Sequence, residues 1–294
     1  MRVTETMRLN DASAWISGPR ERLDELTAQA ASGKKVVQPS DEPAAYASIV
    51  RRSERIARLE SRQTAVGMAR SRLELSEGAL ASASNVMLRM REIAIQMADG
   101  TYGAVDRQAA AEEVSLLREE LLSQANAQGA DGSHLFAGTS TDLEPFTSTG
   151  TFTGNGAALE VEYADGRRMD ASVSGIDAWS NPGGQDIFAD VDALINALQT
   201  DDQAGVQASL DSIDAGQRQL VAARGDAGLR LGRLENAETV TGNALALGIS
   251  QLSEEQDADF AEVAIQLSAT QTAYQRALTV TQQLLQLTRS LEPF

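Results

Sequence analysis

Apolar residues recur three or four positions apart along most of this chain, a spacing that predicts long helices, each with one apolar seam. In the first segment Leu9, Ala12, Ile16, Pro19, Leu23, Leu26 and Ala30 keep the alternation, with Pro19 expected to kink the helix. The stretch "ASGKKVVQPSDEPAAYAS", residues 31–48, then breaks the pattern. Beyond it Leu59, Val66, Leu73, Leu80, Met87 and Ala94 recur every seventh residue, flanked by Ile56, Ile93 and Met97, and residues 44–98 are expected to form one rod-like helix. "DGTYG" ends that helix, and another is expected from Val105 through Val114, Leu117 and Leu121 to "AQGADG".

From 132 to 185 the composition turns to Gly, Thr and Ser, and short alternating runs replace the heptads. "LEVEY", the turn "ADG" and "RRMDASV" predict a β-hairpin with Met169, Ala171 and Val173 on one face. Helix resumes with Ile187, Val191, Leu194, Ile195 and Leu198. A second rod runs from Val206 to Leu252, its seam interrupted by Gln217, Arg224, Glu238 and Thr241. The acidic interruption "SEEQDAD", Ser253 to Asp259, precedes a last helix whose seam is Phe260, Val263, Leu267, Thr270, Tyr274, Ala277, Thr281 and Leu284, widened by Leu278 and Leu285.

This order is nearly palindromic. Helical ends bracket helical rods, and the rods bracket a β segment, so the chain is expected to go out and come back with its terminal helices side by side. The fold class is mainly α with a small β insertion: N- and C-terminal helices paired as a coiled coil, long antiparallel helical rods, and an outer β-rich domain. Three divisions follow: 1–42 with 253–294 as an inner terminal-helix domain, 43–131 with 186–252 as the rod domain, and 132–185 as the β-rich outer domain.

Two helices alone bury little apolar surface against the backbone entropy of ordering them. The inner domain is therefore expected to stay disordered until copies of the chain pack together. Its assembly interface is Leu9, Ile16, Leu23, Leu26, Phe260, Val263, Leu267, Tyr274, Leu278 and Leu285. The break at 31–48 becomes an inter-layer joint of Gly33, Pro39, Ser40, Asp41 and Pro43. Here the prolines hold Gln38 and Glu42 out of helical geometry, and Ser40 and Asp41 offer capping oxygens to the next helix.

Composition narrows the chemistry. A net charge of −17 and an aromatic content of 4% argue against nucleic acid and for helix-on-helix packing. No segment has the length and hydrophobicity of a membrane insertion, and no cleavable secretory signal is evident. The chain is therefore expected to be cytoplasmic or to leave by a route that needs no such signal.

The absence of cysteine excludes disulfides and thiol chemistry. "ASGKK" lacks the spacing of a phosphate-binding loop and follows a helix, so no nucleotide or other cofactor is expected. His134 has no carboxylate or second imidazole at ligand spacing and is read as an ordinary hydrogen-bonded or exposed histidine, with no catalytic or metal role. Arg51, Arg52, Arg55, Arg58, Arg62, Arg70 and Arg72 form a basic strip without interleaved aromatics, read as a solvated face or one that docks on an acidic neighbour. Met87, Met90 and Met97 lie on or near the seam and are read as core. No constellation of acid, base and nucleophile suggests an enzyme.

"ASGKKVVQPSDEPAAYAS" resembles the N-terminal signature of the bacterial flagellin family. The match continues through "LSEGALASASNVMLRMREIAIQMADGTYGAVDRQAAAEEVSLLREELLSQANAQGADGSHLFAGTSTDLEPF". "DADFAEVAIQLSATQTAYQRALTVTQQLLQLTRSLEPF" is similar to the family's C-terminal helix. Pro39 to Pro43, and "SHLFAG" followed by Pro145 and Phe146, resemble the branch that joins hook to filament more than the filament subunit itself.

The resemblance implies a structural subunit of the flagellum that assembles as a ring joining hook to flagellin filament. It further implies export, unfolded and without a cleaved signal, to an extracellular location. The implied partners are other copies of the chain, the neighbouring hook-associated protein, flagellin, and a cytoplasmic export chaperone that binds the C-terminal helix at 260–287. The alternatives are a flagellin-type filament subunit or a free-standing secreted coiled-coil protein.

Overall fold

The computed structural model describes residues 5–181 and 183–290, with side chains described for 13–181, 183–283 and 286. In chain order the elements are α1 (Glu5–Ser32), α2 (Pro43–Met97), α3 (Ala104–Ala125), β1 (Glu160–Ala164), β2 (Arg167–Asp170), α4 (Gly175–Trp179), α5 (Ile187–Gln199), α6 (Gln203–Gln256) and α7 (Phe260–Ser290). The fold is mainly α with one small sheet, as the spacing predicts. It divides into two compact units, residues 1–58 with 244–294 and residues 59–243.

The larger unit is built on the two heptad series. Val66, Leu73, Leu80, Met87 and Ala94 of α2 are fully buried, and a second buried row, Ala69, Ser76, Ala83, Met90 and Met97, lies three residues further on each time. This three-four alternation keeps one face of α2 against its neighbours over many turns. On α6 Val206, Ile213, Leu220, Ala227, Leu234 and Thr241 are buried at strict seven-residue intervals.

Two of the polar entries in the α6 seam, Arg224 and Glu238, pair across to α2. The Arg224 guanidinium donates to Glu77 of α2 at 2.7 Å, and Glu238 accepts from Arg70 at 2.9 Å. Arg91 pairs with Asp214, and Gln203 Nε2 donates to the Ala98 carbonyl at 2.7 Å. Rising numbers on α2 meet falling numbers on α6, so the two helices run antiparallel. Gly216 supplies the close approach: a Cβ there would lie 3.2 Å from both Ile187 and Met87.

The predicted hairpin forms. Strands β1 and β2 are antiparallel with Val161 opposite Met169, an irregularity between Glu162 and Ala164, and Gly166 at φ +67° in the turn. Val161, Ala171 and Val173 are buried on its inner side, while Arg62 of α2 ion-pairs with Glu162 and Asp165.

The rest of 132–185 departs from a β reading. It consists of turns, isolated bridges such as Phe146 to Phe152, and the unpredicted helix α4, whose N-cap Ser174 accepts from the Asp177 amide. An aromatic cluster organises it instead. Phe136 and Trp179 meet edge to face at 5.7 Å, Phe146 sits 5.2 Å from Phe152, and Trp179 stacks on Phe188 of α5 at 6.1 Å. These rings belong to the same buried core as the α2 and α6 seams, so burial rather than strand pairing fixes the segment.

α1 runs as one element with Pro19 inside it. One boundary differs from expectation. α6 continues to Gln256, so Glu254 and Glu255 lie in its last turn and the interruption shrinks to three residues.

Candidate assembly surface and inter-helix joint

In the smaller unit α1 packs against α7. Leu26 and Val263 are buried, and they share the unit with buried Val36, Ile49 and Ile56. Ile16, Leu23, Leu267, Tyr274 and Leu278 are half-buried. Phe260 is 71% exposed. Leu9 and Leu285 fall within α1 and α7, with side chains outside the described residues. Arg22 of α1 reaches across to Gln266 of α7 at 3.3 Å.

The pair leaves much apolar surface uncovered. Trp15, Ile265 and Val280 are 57%, 72% and 47% exposed, beside the exposed ring of Phe260. A seam closed on one side and open on the other is what a helix pair shows when further helices complete its packing.

The joint is a hydrogen-bonded crossing of two chain breaks. Gly33, at φ +69°, ends α1 in the left-handed conformation that glycine adopts without strain, and its amide donates to the Gln29 carbonyl at 2.8 Å. Its own carbonyl accepts from the Ala258 amide at 2.9 Å, and the Lys35 amide donates to the Gln256 carbonyl at 2.8 Å. Lys34 and Asp257 form the bridge between these bonds. Lys35 Nζ donates to the Glu254 carbonyl at 2.8 Å, a cation satisfying a helix C-terminus.

Pro39 and Ser40 lie in an exposed turn, and Pro43 opens α2, the first helical position that a missing N–H suits. Asp41 acts differently from the expected forward cap. Its carboxylate turns back to accept from the amides of Val37 at 2.9 Å and Gln38 at 3.0 Å. Those bonds, Gln38 first and then Val37, hold its pKa below the ordinary carboxylate value. The forward cap belongs to the other break, where Asp259 Oδ1 accepts from Ala261 at 2.9 Å and Glu262 at 3.2 Å at the start of α7.

A polar node that periodicity did not reveal ties α2 to α6 beside the joint. Glu255 accepts from the Ser48 hydroxyl at 3.0 Å and from Arg52 Nε at 2.9 Å, while Arg52 also donates to Gln251 at 2.6 Å. The Ser48 hydrogen bond, with Arg52 and Lys35 adding to it, lowers the Glu255 pKa. The usable signal was the palindrome: Arg52 just past the outgoing break and Glu255 at the returning one must meet if the chain doubles back.

The basic strip splits accordingly. Arg52, Arg62, Arg70 and Arg72 are engaged within the fold. Arg51, Arg55 and Arg58 are exposed. His134 is buried and hydrogen-bonded, Nδ1 lying 3.1 Å from the Asn126 carbonyl and Nε2 3.2 Å from Gln128.

Among the described residues no group of three His, Cys, Asp or Glu could hold a metal ion, and no helix is long and apolar enough to cross a membrane. The features that stand out are surfaces and joints for packing.

Residues 4–141 match the family of the bacterial flagellin N-terminal helical region. A Vibrio parahaemolyticus protein described as a flagellar hook-associated protein superposes with a TM-score of 0.68 at 25% identity, covering 74% of this chain and 100% of that one. The flagellar junction protein FlgL from Legionella pneumophila shares the fold, with a TM-score of 0.55 at 18% identity over 63% of this chain and 98% of that one. Over residues 4–141 the chain is similar to the bacterial flagellin family, and the fold it shares with these neighbours is mainly helical. It is also similar nearly from end to end to flagellar hook-associated protein 3 of Escherichia coli strain K12, with 26% identity over 299 residues and 94% of each chain covered.

Proposed function

We propose that this protein is the adaptor at the junction of hook and filament, a ring of copies seated between the hook-side neighbour and flagellin. The observation that carries the proposal is the half-closed seam of α1 and α7. Leu26 and Val263 are buried by the pair, while Trp15, Phe260 and Ile265 are left to solvent. In a ring, neighbouring copies cover that second side, so α1 and α7 form the inner layer with Ile16, Leu23, Leu267, Tyr274 and Leu278 at its contacts. The helical rods make the outer layer and residues 132–185 the outward surface.

The same economy of contacts makes the terminal helices the part that orders on assembly. An α7 with an uncovered apolar face also suits a cytoplasmic chaperone that holds residues 260–287 before unfolded export to the extracellular structure. The full-length similarity to hook-associated protein 3 supports the junction over the filament. The joint at Gly33, Asp41 and Pro43, closed by Lys34 to Asp257 and by Glu255, sets where the inner layer hands over to the outer one.

Immunogold electron microscopy of isolated flagella, with an antibody to residues 132–185, tests the location. Gold confined to the boundary of hook and filament is expected. Gold along the whole filament makes the chain a filament subunit instead, and flagella without gold remove it from the organelle.

A further inference from the structure

We infer that the exposed arginine row at the start of α2 is one half of a contact between copies, and that its other half is the acidic outer face of α3 on the next copy. Arg51, Arg55 and Arg58 are all exposed and stand four and three residues apart on one side of α2, a row about 10 Å long. None of them takes part in an ion pair of the described fold, whereas Arg52 and Arg62 on either side do.

On a chain of net charge −17, three neighbouring arginines with Glu54 the only acid among them make a locally positive row. The chain's own surface offers the complement. Glu112, Leu116 and Glu119 of α3 repeat the same four-three spacing with all three side chains exposed, Leu116 by 68%, and exposed Glu120 flanks them. Glu113 on the same helix already pairs with Arg89, but Glu112, Glu119 and Glu120 take part in no ion pair of the described fold. The two rows match in length and oppose in sign, with an apolar side chain opposite the central arginine's aliphatic stem.

Because the two faces are different patches, the contact is head-to-tail, the kind that extends from copy to copy around a ring. The inference rests on the junction reading.

The test is charge reversal with rescue in the full chain, read as the amount of protein retained on isolated flagella. Arg51→Glu with Arg55→Glu and Arg58→Glu is expected to lower retention at least about tenfold, and so is Glu112→Arg with Glu119→Arg and Glu120→Arg. Combining both sets is expected to bring it back to within about twofold of wild type. Reversals without effect, or a combined variant that folds by circular dichroism and stays as low as either half, overturn the contact.

Arg55→Cys with Leu116→Cys gives an independent reading, since the chain has no cysteine of its own. Oxidation should yield a ladder of linked copies from flagella carrying the double variant and none from either single variant. A double variant present on flagella without a ladder also overturns the contact but leaves the junction reading standing. Wild-type chain missing from flagella takes the junction reading down, and this contact with it.

Discussion

Asp41 and Glu255 close the joint through carboxylates whose pKa values lie below their ordinary ones. A carboxylate lowered in the folded state contributes stability that is fully present above its unfolded pKa and disappears as pH falls through the folded value. The smaller unit should therefore loosen on the acid side of the ordinary carboxylate range. Glu255→Gln should flatten that dependence, as measured by hydrogen exchange of residues 31–58 across an acid titration. Parallel acid responses in the variant and the wild type would show that the node with Ser48 and Arg52 does not hold the joint.

Gly138 makes a second residue-scale case. It sits at φ +72°, and a Cβ there would lie 2.1 Å from the Asn155 carbonyl oxygen. Left-handed strain and overpacking together put the cost of Gly138→Ala at about 2–4 kcal/mol, to be read from the midpoint of urea unfolding of the larger unit.

At the scale of elements, the seams carry the stability. Leu73 is fully buried where α2 meets the core, and Leu73→Ala should cost about 2–5 kcal/mol. Leu229, 70% exposed on α6, should tolerate the same change within about 0.5 kcal/mol. Urea unfolding of the two variants distinguishes the faces, and similar losses would mean that the heptad register is wrong.

The register was legible in the sequence because a seven-residue apolar repeat has one efficient burial, a single stripe against neighbouring helices. Leu59 to Ala94 and Val206 to Thr241 show it directly. The hairpin was legible for a like reason, since alternation around Asp165-Gly166 admits few other structures. Helix α4 was not. Five residues give no periodicity, and the segment is fixed by Phe136 against Trp179 and by Phe146 and Trp179 packing on Phe188 from a later helix. Nor was the true reach of α6, because Glu254 and Glu255 look like a solvated break until Arg52, Ser48 and Lys35 are brought beside them.

At the scale of the whole molecule, the chain combines a well-buried core in residues 59–243 with a helix pair that buries only part of its apolar surface. That asymmetry suits a subunit whose larger unit is finished before assembly and whose helix pair is finished by it, since uncovered Trp15, Phe260 and Ile265 have most to gain from neighbours. Candidate chemistry was legible mainly as packing. The joint residues Gly33 and Pro43 were visible as punctuation, while Glu255 needed Ser48 and Arg52 of the outgoing chain to acquire a role.

The most direct test is hydrogen exchange by mass spectrometry on the free chain in dilute solution and on the chain within isolated flagella. The account predicts that residues 13–30 and 260–283 exchange rapidly when free, while 66–97 and 206–241 are protected, and that the terminal segments become protected on assembly. Strong protection of 13–30 and 260–283 in the dilute chain, unchanged in flagella, would contradict it.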